Sequence, residues 1–135
     1  MITRVEIDGF KTFEDFAVDL NPFVVILGPN ASGKSNFLDA LRFIGLLAES
    51  DIRSAVTHAE MRGDPDELFR RNADGTISPR MRFAVEVLLD ATVADPWQER
   101  VSLTHTRLRY ELELVRRDDG RGRERILIDH EAVLP

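Results

Sequence analysis

The stretch FVVILGPNASGKS, residues 23–35, decides how this sequence folds. Its first five residues, 23–27, are all apolar and include three β-branched side chains, a pattern typical of a strand buried on both faces of a sheet. The next eight residues, 28–35, fit the pattern G-x-x-x-x-G-K-[ST]. A buried strand before this pattern and a helix after it form the context in which such a loop binds phosphate.

The residue types in this loop predict that it binds phosphate, as a P-loop does. Gly28 and Gly33 allow the backbone N–H groups to wrap closely around phosphate oxygens. Lys34 is expected to reach the β- and γ-phosphates, the Ser35 hydroxyl to ligate Mg²⁺, and Asn30 to orient the attacking water or contact the γ-phosphate. We therefore predict that ATP with Mg²⁺ is bound by Gly28, Pro29, Asn30, Ala31, Ser32, Gly33, Lys34, Ser35 and Asn36.

Hydropathy patterns divide the chain into three stretches of one α/β domain. The first, residues 1–50, is a P-loop core in which residues 3–8 and 16–20 read as a hairpin. Apolar residues at helical spacing predict a largely buried helix over residues 33–48. Residues 51–80 are polar and broken by glycine and proline, so we expect an irregular or short helical insertion there.

The third stretch, residues 81–135, predicts an antiparallel meander. Apolar and polar residues alternate over residues 81–89 and 107–114, and a strand over residues 125–129 returns after an Asp-Gly turn. We expect a mixed sheet around the P-loop helix, flanked by this antiparallel β subdomain.

Composition limits the function further. The chain has 135 residues, 43% of them hydrophobic, which suits a single domain with its own core. A net charge of −6 argues against binding nucleic acid by bulk electrostatics. The absence of cysteine, of a signal-like N-terminus and of a long apolar run predicts a cytoplasmic protein without a membrane segment.

Two short motifs resemble one family of ATPases. IDGFKTF at residues 7–13, together with GPNASGKSN at residues 28–36, is similar to the N-terminal lobe of ABC-type ATPase heads of the SMC, RecF and OLD-like (AAA-type) group. MRG at residues 61–63 and ELF at residues 67–69 resemble the arginine-bearing segment that follows the P-loop helix in that group. The resemblance covers nearly the whole chain and is sharp over about the first 45 residues.

The resemblance implies further site residues and partners. Lys11 and Thr12 match positions that line adenine and ribose, and Arg62 matches an arginine that approaches the nucleotide or DNA, although a solvated loop arginine is an equal alternative. The group hydrolyses ATP in a completed head, which implies a homodimer or the remaining half of the head as partner, and DNA or a nuclease as a further one. DNA repair, DNA maintenance or anti-phage defence are the processes implied.

Several elements of a complete ATPase head are missing from the sequence. No signature loop is found, and the closest imitation of a Walker B segment, residues 126–131, is better explained as a strand end that carries Asp129 to solvent. Gln98 is predicted to lie in a loop, and the arginines of residues 107–125 on a salt-bridged strand face. A non-catalytic structural lobe, or a regulatory nucleotide-binding fragment completed by a partner chain, is therefore the alternative function. A small kinase or GTPase is disfavoured, because no base-reading or lid motif follows the loop.

Overall fold

The computed structural model describes residues 1–58, 65–118 and 120–135, with no account of the side chains of residues 65 and 66. The elements run β1 (Ile2–Asp8), β2 (Phe16–Asp19), α1 (Lys34–Glu49), α2 (Ile52–Thr57), a 3-10 helix (Pro65–Leu68), β3 (Arg80–Leu88), β4 (Thr92–Ala94), β5 (Arg100–Ser102), β6 (Arg107–Asp118) and β7 (Glu124–Leu134). Five strands form one sheet in the order β2-β1-β3-β6-β7, and β4 and β5 form a separate hairpin. All of these pairings are antiparallel.

Most of the predicted elements are confirmed. β1 and β2 pair as a hairpin, with Ile7 opposite Phe16, and α1 follows the glycine-rich loop directly. The predicted meander is present as β3, β6 and β7, and the Asp118 carboxylate accepts hydrogen bonds from the amides of Gly120 and Gly122 in the last turn. β1 also pairs with β3, so the first and third stretches of sequence share one antiparallel sheet. Among the described residues, this single sheet stands in place of the predicted mixed sheet with a flanking antiparallel subdomain.

The core lies between one face of this sheet and α1. Alternate residues of β1 and β3 point to this face, so that Val5 and Val85 are opposite each other and almost completely buried. Three aromatic rings join the layers: Phe10, Phe43 of α1 and Phe83 of β3 lie with centroids 5.3–5.8 Å apart. Burial of such rings supplies much of the hydrophobic stabilisation of a small domain.

The prediction of a buried strand over residues 23–27 is wrong for this structure. These residues belong to no strand or helix, and their side chains are exposed, from 42% at Ile26 to 86% at Leu27. The physical reason is that an apolar run indicates a preference for burial but does not supply the neighbouring strands. Among the described residues, no strand pairs with this segment, and the buried face of α1 is already covered by the sheet.

α1 is also less buried than its sequence predicts. Its buried residues are Phe37, Asp39, Ala40 and Phe43, whereas Leu38 is 57% exposed. One sheet covers one stripe of the helix, so apolar residues beside that stripe are only partly buried: Leu41, Ile44, Leu46 and Leu47.

The face of the sheet opposite the core carries a network of ion pairs. The Arg109 guanidinium contacts Glu6 at 2.7 Å and Glu111 at 2.7 Å, and Arg107 contacts Glu86 at 2.6 Å. Hydrogen bonds from Arg109 and then from Arg4 lower the pKa of the Glu6 carboxyl to about 2. The predicted salt-bridged strand face is therefore confirmed for Arg107, Arg109 and Arg117, whereas Arg121 and Arg123 lie between β6 and β7.

The β4–β5 hairpin is an insertion between β3 and β6. The Asp95 carboxylate accepts hydrogen bonds from the amides of Trp97 and Glu99 in its turn, and Gln98 adopts a positive φ of 67° there. The prediction that Gln98 is a loop residue is confirmed. Trp97 stands at this tip with 82% of its surface exposed.

Within the described part of the chain, no helix combines the length and the hydropathy required to span a membrane.

Candidate phosphate-binding site

The glycine-rich loop ends where α1 begins, at Lys34. Gly33 precedes the helix with φ 90°, a conformation that glycine adopts without strain, and Ala31 also lies in the left-handed region at φ 67°. Among the described residues, no side chain caps this end of the helix. The first N–H groups of α1, together with the positive end of its dipole, therefore face the loop as donors for an anion.

The Lys34 side chain folds back into the loop. Its Nζ donates to the carbonyl oxygens of Gly28 and Pro29, each at 2.6 Å, and lies 3.5 Å from Ser32 Oγ. An ammonium group held by these loop oxygens places a positive charge at the loop, which can attract phosphate oxygens. The carbonyl contacts are exposed to solvent, so an incoming anion can compete for them.

Gly28 lies where the loop closely approaches its own Ser32 side chain. A Cβ at this position would lie 2.8 Å from Ser32 Oγ, which is closer than real Cβ contacts allow. A Cβ at Gly33 would lie 3.5 Å from Thr12 Oγ1, so the loop also packs near the turn after β1. Both glycines of the sequence pattern therefore have a steric or conformational reason in the structure.

A pocket of about 430 Å³ lies on the loop. Its wall includes Thr12 from the turn after β1, whose hydroxyl accepts a hydrogen bond from Asn36 Nδ2 at 3.0 Å. The structure thus brings Thr12 together with most of the predicted loop residues. The lining residues are Thr12, Asn30, Ala31, Ser32, Gly33, Lys34, Ser35 and Asn36.

Lys11 lies beside this pocket but is directed into the protein. Its Nζ contacts Asp39 Oδ2 of α1 at 2.6 Å, with side-chain exposures of 10% and 3%. Asp39 is a buried ionic residue that the sequence analysis missed. The available signal was a carboxylate in the interior of a helix of mostly apolar residues.

The segment that follows the predicted arginine motif docks on the same turn. The Leu68 carbonyl accepts a hydrogen bond from the Lys11 amide at 2.8 Å. Phe69 forms an isolated antiparallel β-bridge with Phe10 through the backbone. Leu68 and Phe69 are buried. Arg62 and residues 61–63 lie outside the described residues, so the predicted role of Arg62 is not tested.

A second, apolar pocket of about 370 Å³ lies behind the P-loop. Phe16 and Val18 of β2 form one wall, and Phe37 of α1 forms another. Val24 and Leu27 of the exposed apolar segment complete the lining, so the segment lies next to the loop without being packed into a sheet.

The Walker B imitation is part of β7. Asp129 contacts Arg117 at 2.8 Å, and Glu131 accepts a hydrogen bond from the Tyr110 hydroxyl at 2.8 Å. Burial, together with this hydrogen bond, raises the pKa of Tyr110 to about 12. These carboxylates pair with neighbouring strand residues. The prediction of a strand is therefore confirmed, but the residues lie within β7 and not at its end.

Comparison with known proteins places this loop in a family. The profile described as "AAA ATPase domain" matches residues 1–83. The Chromosome partition protein Smc of Bordetella petrii is 34% identical over 91 residues, which cover 66% of this chain and 7% of the relative. The same protein of Synechococcus sp. is 36% identical over 107 residues, which cover 76% of this chain and 8% of the relative.

A shorter match extends the likeness to a second group. The DNA replication and repair protein RecF of Lactococcus lactis is 37% identical over 46 residues, which cover 33% of this chain and 13% of the relative. The chain therefore spans less than a tenth of the length of the Smc relatives and about an eighth of RecF.

The fold agrees with these relatives. A solved structure from work on ATP-driven dimerisation and DNA-stimulated activation of SMC ATPases has a TM-score of 0.57 and 17% identity, and covers 97% of this chain and 71% of that chain. The chain belongs to the AAA ATPase domain family, as the N-terminal lobe of an SMC- and RecF-like ATPase head.

Proposed function

We propose that this lobe binds ATP with Mg²⁺ on the loop formed by residues 28–35. The observation that supports this proposal most strongly is the position of the Lys34 ammonium, which lies within the loop at the start of α1. The pocket of about 430 Å³ beside it has room for phosphate groups. Family membership implies ATP binding independently.

Several residues in and beside the loop have defined parts in this proposal. Lys34 exchanges its two carbonyl contacts for the β- and γ-phosphates, while the N–H groups at the start of α1 bind phosphate oxygens. Ser35 ligates Mg²⁺, and Asn30 orients the attacking water. Thr12 lines the pocket and suits a contact with ribose or adenine. Lys11 can add such a contact through its side chain only when its ammonium leaves Asp39.

Hydrolysis, in this proposal, belongs to a completed and dimeric head. Phosphoryl transfer depends on groups that position Mg²⁺ and the attacking water, and the carboxylates of β7 are engaged in strand contacts. We expect the chain alone to bind ATP and to turn it over slowly. In the complete protein the ATPase would act in DNA repair, DNA maintenance or, as in OLD-like proteins, anti-phage defence, with DNA or a nuclease as partner.

A second candidate is a lobe whose nucleotide site forms only when a partner chain completes it. The exposed apolar residues 23–27 and the apolar pocket behind the P-loop favour this candidate, because exposed apolar patches mark interaction sites. A parallel strand beside residues 23–27 would produce the mixed sheet predicted from the sequence. It would also hold the start of the loop in place.

The Lys34→Ala substitution tests the proposal. Isothermal titration of the chain with ATP and Mg²⁺ should give measurable binding that Lys34→Ala weakens about 30- to 100-fold, since a hydrogen bond to a charged group is worth roughly 2–3 kcal/mol. Arg42→Ala, which removes a positive charge from an exposed position on the same helix, is the matched control and should bind normally. Equal binding by Lys34→Ala would contradict the proposal, whereas no binding by the unaltered chain would favour the partner-completed lobe.

The Ser35→Ala substitution tests the metal assignment. If the Ser35 hydroxyl ligates Mg²⁺, adding Mg²⁺ should strengthen ATP binding by the unaltered chain but not by the variant. Ser32→Ala removes a hydroxyl from the same loop and should keep the response to Mg²⁺. An unchanged Mg²⁺ dependence in Ser35→Ala would remove Ser35 from the metal site.

A further inference from the structure

β7 (Glu124–Leu134) is one edge of the five-stranded sheet. Among the described residues, no strand pairs with its outer side. It contains 11 residues, about twice the usual strand length, and Leu127 and Ile128 are 42% and 48% exposed. A long edge strand with apolar side chains offers its backbone donors and acceptors to another strand.

The sequence of β7 is complementary to itself when two copies run antiparallel. Residues 125–129 read Arg-Ile-Leu-Ile-Asp, with a positive charge at one end, a negative charge at the other and three apolar residues between them. With Leu127 opposite its own copy, Ile126 lies opposite Ile128. Arg125 lies opposite Asp129, whose carboxylate also contacts Arg117 of its own chain at 2.8 Å, so the copy's Arg125 would join an existing ion pair. Opposite residues of an antiparallel pair share a face. A two-fold axis forms the Ile126–Ile128 and Arg125–Asp129 contacts twice and the Leu127–Leu127 contact once.

The other simple arrangement of two copies is unfavourable. A parallel pair in register would place Arg125 beside Arg125 and Asp129 beside Asp129, and like charges directly opposite each other destabilise a pair of strands.

The fold also sets the length of the contact. The pairing of β7 with β6 shifts between Glu113 and Leu114, which leaves Asp129 as a bulge. A bulge bends its strand, so the straight part of this end of β7 runs over residues 125–128 and ends at Asp129.

We propose that two copies of this chain associate through residues 125–129 of β7, in antiparallel orientation about a two-fold axis at Leu127 and without nucleotide. The opposite edge of the sheet is β2, where Phe16 and Val18 line the pocket behind the P-loop. The two P-loops therefore lie at the far edges of the joined sheet. This association is distinct from an ATP-dependent contact at the P-loops.

Charge reversal tests the register. In sedimentation velocity without nucleotide, the unaltered chain should dimerise, and Arg125→Asp and Asp129→Arg should each weaken the dimer by about tenfold or more, because two attractive pairs become repulsive. The double variant Arg125→Asp/Asp129→Arg should restore it. An equimolar mixture of the two single variants should form a heterodimer, since each then supplies the charge that the other lacks.

Two results of this experiment would refute the proposal. A chain that stays monomeric up to about 100 μM, or a dimer that neither single variant weakens, would refute it. Circular dichroism of each variant checks that the fold is retained. A failure of the mixture to form heterodimers would refute the register at Leu127.

Disulfide trapping gives an independent test, because the chain contains no cysteine. Opposite residues of an antiparallel pair have Cβ atoms about 4.5–5.5 Å apart, close to the range for a disulfide. Leu127→Cys should therefore cross-link rapidly to its own copy under mild oxidation. Val133→Cys, which is exposed on the same strand but lies opposite residue 121 in this register, is the matched control and should cross-link slowly. Equal rates for both variants would refute the proposal.

Discussion

Asp39→Ala is expected to destabilise the fold by about 3–5 kcal/mol. Asp39 Oδ2 lies 2.6 Å from Lys11 Nζ, and only 3% and 10% of the two side chains are exposed. Removing the carboxylate takes away the negative charge that lies 2.6 Å from the poorly solvated Lys11 ammonium, which is far more costly than losing a surface ion pair. Urea denaturation followed by far-UV circular dichroism measures the change.

Two further variants identify the cause of this effect. The double variant Lys11→Met/Asp39→Leu should recover most of the lost stability, because replacing both members of a buried ion pair with apolar residues is often neutral or favourable. Asp19→Ala removes a carboxylate that is 79% exposed and contacts Arg4 at 2.7 Å, so it should cost less than about 1 kcal/mol. A small cost for Asp39→Ala, similar to that of Asp19→Ala, would contradict the explanation.

Gly9→Ala is expected to cost more than about 3 kcal/mol. Gly9 adopts φ +71°, and a Cβ at this position would lie 2.2 Å from the carbonyl oxygen of Arg80. Either Gly9 or the backbone of β3 would have to move. Gly9 is restrained, because its carbonyl accepts a hydrogen bond from the Arg70 amide at 2.8 Å. The same urea titration gives the free energy of unfolding.

Gly75→Ala is the matched control for this substitution. Gly75 has φ +85°, but a Cβ there would meet no atom within 4 Å. It therefore isolates the conformational cost of a positive φ, about 1–2 kcal/mol. The difference between the two variants measures the steric clash, and equal costs would show that the contact with Arg80 relaxes easily.

Local patterns explain why so much of the fold could be predicted. The alternation in β1, β3 and β6 and the helical spacing in α1 are properties of a few neighbouring residues, and the structure confirms each of these elements. The loop of residues 28–35 could be predicted equally well, because its sequence pattern is local and Gly33 has a positive φ that favours glycine. The likeness to SMC- and RecF-like heads rested on the same residues and is confirmed by the family match.

Features that depend on distant contacts could not be predicted in the same way. Residues 23–27 carry the strongest apolar signal in the chain, yet a strand also needs neighbours, and the sequence of the segment does not show whether they are present. The pairing of Lys11 with Asp39 joins residues 28 positions apart. To predict this pair, one would have to know how α1 packs against the turn after β1.

The position of Trp97 determines how the stability of this chain can be followed. It is the single tryptophan, and it stands at the tip of the β4–β5 hairpin with 82% of its surface in water. Because its surroundings are already aqueous in the folded state, its fluorescence emission should shift little when the core unfolds. The indole instead offers a local optical reporter of events at that hairpin, including the approach of any quencher or binding partner.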